Sequence, residues 1–188
     1  MLNIRLWTMI GIVFVAAAMR VVPHSPNVTP IAAMALFGGA YLADKKLAFA
    51  VPLAAMFLSD MVLGFFVYDL GWFHPVMPFV YGSVALTVGL GMWVREHRSP
   101  LRIGAAAVTS SVLFFLITNF GVWLVGSHGL YPKTVEGLAA CYLAAIPFFR
   151  NILIGDAVYT LLLFGGYALL QRYLPALREE PVPVMARM

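Results

Sequence analysis

Charge and cysteine are both scarce in this chain. Asp, Glu, Lys and Arg together make up 11% of its 188 residues, against about 25% in an ordinary soluble domain. That excludes a soluble enzyme and a disordered chain. A single cysteine, Cys141, excludes a disulfide scaffold and leaves no C-x-x-C pair. It lies in the apolar stretch 139–145, where a buried structural thiol is expected. There is no Walker A sequence, so the chain does not hydrolyse ATP in the P-loop manner. Neither G-x-S-x-G nor H-E-x-x-H occurs, and we expect no enzyme and no catalytic residues. No basic stripe interleaved with aromatics appears, so nucleic acid is not an expected partner. An inverted repeat of the kind carried by secondary transporters is also missing.

What the chain has in abundance is apolar sequence. Hydrophobic residues make up 62% and the mean hydropathy is +0.91. That share of the chain, roughly 117 residues, would supply about six membrane helices of about 20 residues each. Little is left for a second domain. The candidate spans are 6–22, 28–43, 47–66, 76–94, 103–125 and 148–173. The second would cover only about 24 Å of a core near 30 Å. It is therefore either tilted into a thin region or broken and packed against protein. Residues 134–145, between Pro132 and Pro147, read as an interfacial or re-entrant helix. Arg5 followed by an apolar run to Ala16–Ala18 imitates a signal peptide. The run continues to Val22, and a retained first helix is expected. The expected organisation is an all-α membrane domain over 1–174 and a disordered tail over 175–188.

The formal net charge is +4, which reflects an excess of loop cations. With six spans, one side receives Arg5, Lys45, Lys46, Arg95, Arg98, Arg102, Arg172, Arg178 and Arg187, and the other Lys133, Arg20 and Arg150. Excess Lys and Arg marks the cytoplasmic side. Both termini are therefore expected in the cytoplasm of a multi-pass protein. If 28–43 does not cross, only Arg5 and the N-terminus change sides.

Small residues recur at four-residue spacing: Ala35 and Gly39, Ala50 and Ala54, Ala85 and Gly89, Ala140 and Ala144. Such spacing allows close helix packing, within the chain or against a partner membrane subunit.

Polar groups at depth are costly and therefore candidates for function. Asp60 and Asn119 each fall about 9 Å inside the outer end of a helix. Arg20 lies near the outer end of the first span, and Arg150, Asn151 and Asp156 open the last. All six lie in the outer half, which describes a cup open to the outside. Arg150 and Asp156, six residues apart, face different directions on a helix. Arg150 is assigned to the cavity beside Asp60, and Asp156 to helix packing with Arg20. Three outer loops add His24, Ser25, Asn27 and Thr29, then Asp69, Trp72, Phe73, His74, Phe79 and Tyr81, then His128 and Tyr131. They suit a lid over an apolar ligand held by few polar anchors. The expected substrate-binding residues are His24, Asn27, Asp60, His74, Tyr81, Asn119 and Arg150. Two rival readings stay open: an outer-face enzyme or metal-binding protein acting through His24, His74, His128 and Asp69, and a structural protein whose buried charges only align helices. No two of the histidines share a helical register, and no metal ligand is assigned.

The stretches PHSPNVTPIAAMALFGGAYLADKK, VPLAAMFLSDMVLGF, MPFVYGS, FLITNFGVWLVG and YPKTVEGLAACYLAAIPFFRNILIGD resemble a family of small bacterial membrane proteins. That family is similar to S-components, the substrate-binding subunits of energy-coupling factor (ECF) vitamin transporters. The resemblance covers roughly 21–164. It implies a six-helix S-component-like bundle with an outward-facing pocket in the bacterial cytoplasmic (inner) membrane. It also implies vitamin or cofactor uptake, with a transmembrane subunit and two ATPases as partners. The best-known S-components carry A-x-x-x-A in helix one. Here Ala50 and Ala54 lie in the third span instead, which leaves both a shared energy module and a solitary mode open. A cobalamin-binding branch uses a His in the first outer loop, a helix-three Asp, a Tyr after the second loop and an Arg opening the last helix. His24, Asp60, Tyr81 and Arg150 occupy similar positions, so cobalamin or a related corrinoid is the leading substrate. The cobalt-ligating cysteine of that branch would fall near Val76, and this chain has none there. His24 or His74 is then the candidate axial ligand.

Overall fold

The fold was analysed in a computed structural model that describes residues 3–67, 73–126 and 130–178. Among these residues all regular structure is helical. In chain order the helices are α1 (Ile4–Ala18), α2 (Ile31–Tyr41), α3 (Lys45–Val62), α4 (Met77–Arg95), α5 (Pro100–Val125), α6 (Val135–Thr160) and α7 (Gly166–Tyr173). A π-turn at Leu63–Val67 extends α3, and another at Leu161–Gly165 joins α6 to α7 without a break. Polar side chains start several helices: Asn3, Asp44, Ser99 and Thr134 each accept a backbone N–H of the first turn, which satisfies an otherwise orphan donor.

Among the described residues four helices are long and apolar enough to cross a membrane: Lys45–Val67, Met77–Arg95, Pro100–Val125 and Val135–Tyr173. Six such spans were expected. The first candidate ends at Ala18, and the chain is non-helical from there until Ile31 because Pro23, Pro26 and Pro30 interrupt it. The second candidate shrinks to the eleven residues of α2, about 16 Å. Residues 134–145 are not a separate interfacial helix. They open a continuous 39-residue helix, Val135–Tyr173, about 58 Å long. Pro147 sits inside it and costs one backbone hydrogen bond, a loss that packed membrane helices tolerate.

Every residue of α2 is buried. Its sequence, IAAMALFGGAY, has no apolar stripe because all of its faces are apolar, the pattern of a helix enclosed by protein. It packs on α1, α3, α4, α5 and α6. Two glycines allow this. Gly38 lies against Pro52 of α3, and Gly39 meets α4 backbone to backbone: a Cβ on Gly39 would stand 2.9 Å from the Gly91 Cα. Of the small-residue pairs singled out above, only Ala35 and Gly39 are both buried. Ala50, Ala54, Gly89, Ala140 and Ala144 are exposed on the bundle surface.

Two arginines hold the end of α2. Arg95 donates to the carbonyls of Gly39 (2.7 and 3.1 Å), Leu42 (2.5 Å) and Ala43 (2.8 Å). Arg98 donates to Ala40 (3.1 Å) and stacks 4.6 Å from the Tyr41 ring centre. A helix C-terminus carries unpaired carbonyls and partial negative charge, so guanidinium groups satisfy both. Beside them Phe37, Tyr41, Phe164 and Tyr167 form an aromatic cluster. The segment assigned to a disordered tail opens with a 3-10 turn at Pro175–Leu177. Leu177 is buried, and its carbonyl accepts from Tyr167 (3.4 Å) and Gln171 (3.1 Å). Residues 179–188 lie outside the described residues. Arg95, Arg98, Arg102, Arg172 and Arg178 thus mark one end of the bundle, called the basic end below. The segment 19–30 and the turn before α6 lie toward the opposite end.

Candidate functional site

The residues between α1 and α2 form a strap across the opposite end of the bundle. Its tip is a turn, Ser25-Pro26-Asn27-Val28, closed by the Val28 N–H donating to the Ser25 carbonyl at 3.0 Å. Asn27 has φ 63°, the left-handed region that Asn tolerates better than most residues. Proline followed by such a residue is what a type II turn requires. The strap is tied to α6 by Asn151, which donates to the Pro26 carbonyl at 3.0 Å. Gly155 lets it lie close, since a Cβ there would be 3.0 Å from the Val28 Cα.

Beneath the strap Arg20 turns inward. It meets Asp60 of α3 at 2.6 Å and donates to the Ser59 hydroxyl at 2.5 Å and the Met56 carbonyl at 3.3 Å. Tyr81 of α4 donates to the other Asp60 oxygen at 2.7 Å. Both carboxylate oxygens are therefore engaged, and one ionic network joins the end of α1 to α3 and α4. The Arg20 Nε–H is buried without an acceptor among the described residues. A cleft of about 520 Å³ opens beside it, lined by Arg20, His24, Asn27 and Thr29 over Leu63 and Val67. His24 Nδ1 lies 2.6 Å from the Val22 carbonyl. That oxygen can only accept, so Nδ1 carries the hydrogen and Nε2 of the neutral ring is an acceptor. Asn27 also borders two smaller cavities. One, of about 160 Å³, reaches Asp156. The other, of about 120 Å³, is shared with Asn119.

The seven expected binding residues are only partly gathered. His24 and Asn27 line the cleft, and Asp60 and Tyr81 form the network that holds Arg20 at its wall. Asn119 reaches only the small cavity, with its amide donating to the Phe115 carbonyl at 2.8 Å. His74 is exposed and lines none of these cavities. Arg150 is exposed on α6 and does not stand beside Asp60; Arg20 does. Asp156 does not pair with Arg20. It contacts the Ser111 hydroxyl at 2.6 Å. The six-residue offset does turn the two α6 side chains apart, but Asp156 faces inward and Arg150 outward. Asp69, Trp72 and His128 lie outside the described residues. Among the described residues no three His, Cys, Asp or Glu side chains converge as metal ligands.

The single cup expected from the sequence is not the whole arrangement. A second groove, of about 510 Å³, runs between α5 and the α6–α7 helix from Asp156 down to Arg98 at the basic end. Gly104, Ala107 and Ser111 on α5 face Gly165 and Ala168 across it. Small residues at i, i+3 and i+7 on α5 were the signal for this groove, and four-residue spacing alone misses it.

The match to known families agrees with a fold that spans nearly the whole described chain. This protein belongs to a family of unknown function, DUF6580, which it matches over residues 1–177. No curated protein and no solved structure matches it. Within this DUF6580 chain the matched region contains the strap, the Arg20–Asp60–Tyr81 network and both grooves. The site therefore has to be read from its own chemistry.

Proposed function

We propose that this protein is the solute-binding component of an uptake system, capturing a vitamin- or cofactor-like molecule in the cleft beneath the strap. The observation that carries this reading is the buried Arg20 Nε–H, without a partner among the described residues, at the wall of a cleft of about 520 Å³. A buried donor without a partner is costly, and a ligand acceptor would satisfy it. The volume is in the range of small-molecule sites, and an apolar wall with a few polar anchors is their usual chemistry. In this reading His24 and Asn27 contact the ligand from the strap. Asp60 and Tyr81 act through Arg20, holding its guanidinium in place. A corrinoid would fill the cleft and protrude from it, with His24 Nε2 available to cobalt.

The excess of cations at the basic end assigns that end to the cytoplasm. The cleft then faces outward from a bacterial cytoplasmic membrane. An energy-coupling membrane subunit with its ATPases would meet the bundle on a lipid-facing side, where Ala50 and Ala54 of α3 are exposed.

The test is native mass spectrometry, with an absorption spectrum for a corrinoid, of gently purified wild-type protein and of His24→Ala and Asn27→Gly. The expected result is a small bound mass in the wild type that falls at least several-fold in both variants at unchanged folded yield. Equal retention in all three would overturn the cleft as the capture site.

A further inference from the structure

One buried carboxyl group has no part in holding Arg20. Asp156 is 5% exposed, and Ser111 at 2.6 Å is its hydrogen-bond partner among the described residues. It borders two cavities at once. On one side is the 160 Å³ cavity, which shares Arg20, Asn27 and Thr29 with the outer cleft. On the other is the 510 Å³ groove leading to Arg98. No other described residue lines both, so Asp156 is the partition between two approaches from opposite ends of the bundle.

The hydrogen bonds around Asp156 require a choice. The Ser111 oxygen is also 3.0 Å from the Ala107 carbonyl of its own helix. A hydroxyl has one hydrogen and cannot donate two full bonds. Both contacts are full two-centre bonds only when a protonated Asp156 donates to Ser111 and Ser111 donates to Ala107; otherwise one hydrogen is shared between the two. When the carboxyl loses its proton, Ser111 turns its hydrogen toward Asp156 and weakens its bond to Ala107. Thr160, one turn further along α6, lines the groove and is 7% exposed. Its hydroxyl has no partner among the described residues, whereas Ser110, Ser111 and Thr118 donate to carbonyls of their own helix. It is a ready relay on the basic-end side of the carboxyl.

We propose that Asp156 is a proton-carrying site, which takes a proton from one cavity and releases it to the other through Ser111 and Thr160. No bond other than O–H forms or breaks: the proton leaves Asp156 for solvent entering the groove, and the carboxylate keeps the electron pair. From α5 the group facing it is Ser111. From the strap it is Arg20, whose charge is paired with Asp60. α2 and the basic end offer Tyr41 and Arg98 at the far end of the groove. The site offers four side-chain oxygens, two from Asp156 and one each from Ser111 and Thr160, fewer than the six or more that a hard metal cation takes, so the proton is the expected ion. The identity of the captured solute does not enter.

The test is infrared difference spectroscopy of the full chain in lipid nanodiscs, without added solute, titrated from about pH 4 to 9 across the range where a carboxyl at this depth can exchange. Wild type is expected to show a protonated-carboxyl C=O band that titrates and is absent from Asp156→Asn, the isostere of the proton-bearing form. Ser111→Ala is expected to displace the midpoint by about one pH unit, the equivalent of one charge-assisted hydrogen bond. Identical titrations in wild type and Asp156→Asn would overturn the proposal. So would an unmoved midpoint in Ser111→Ala, or a band that responds to sodium and not to pH. Loss of solute capture with the band intact would refute only the capture reading.

Discussion

Replacing Asp60 by Leu removes the carboxylate that faces Arg20 at 2.6 Å and accepts from Tyr81 at 2.7 Å. The side chains of Arg20 and Asp60 are only 10% and 15% exposed, so water cannot easily take over. Two unit charges about 4 Å apart attract by about 4 kcal/mol at an effective dielectric of about 20. Removing one partner of a buried pair costs about 3–5 kcal/mol, because the other charge is left stranded. At about 2–4 °C per kcal/mol for a chain of this size, the melting temperature should fall by about 6–20 °C. Arg20→Met should cost a similar amount. The double variant Arg20→Met/Asp60→Leu should recover most of the loss, since two apolar groups leave no charge unpaired. The assay is a double-mutant cycle by thermal unfolding in one detergent, with a coupling energy above about 2 kcal/mol expected. Additive single losses, or an Asp60→Leu loss below about 1 kcal/mol, would refute the claim that this pair is what holds Arg20 in place.

Three more outcomes follow from the packing. Asn27→Gly should leave the melting temperature within about 2 °C, because glycine accepts φ 63°, whereas Asn27→Val should lower stability by about 1–3 kcal/mol. Thermal scans of the two variants side by side check this. Gly91→Val should cut the folded yield several-fold on size-exclusion chromatography, since its Cβ would meet α2 backbone at Gly39 and Ala40. Wild-type elution and yield would refute the close contact. Arg95→Gln should lower the melting temperature by at least about 5 °C by stripping donors from the Gly39, Leu42 and Ala43 carbonyls, and Arg95→Lys should recover only part of that loss.

The spans easiest to read in the sequence are α3, α4 and α5. Each is an apolar run bounded by Lys, Arg or Pro, and the expected ends fall within a few residues of those observed. The expected spans divide α6 at Pro147, into 134–145 and 148–173, yet a helix packed on α5 keeps its course through one missing hydrogen bond. α2 was read as a stretch too short to span, either tilted or packed against protein, and the second alternative is the one observed. In the site, grouping polar residues by depth put Arg20, Asp60 and the strap toward one end, but it paired Arg150 with Asp60 and Arg20 with Asp156, whereas Arg20 meets Asp60 and Asp156 meets Ser111. The pairing depends on how the strap turns, and the strap is tied to α6 by Asn151, more than a hundred residues away in the sequence. The groove at the basic end went unseen because Gly104, Ala107, Gly165 and Ala168 in its walls carry no polar signal, and its polar lining, Asp156, Ser111 and Thr160, is divided between two helices distant in the sequence.

The enclosed position of α2 also bears on how the protein is made. A helix of eleven residues is too short for the translocon to release into lipid as a span of its own. Its carbonyl end needs Arg95 and Arg98, residues synthesised some fifty positions later. A ribosome halted before α4 would therefore carry a nascent chain with an unfinished centre. The centre of the bundle is complete only once α4 and the residues just after it have been made.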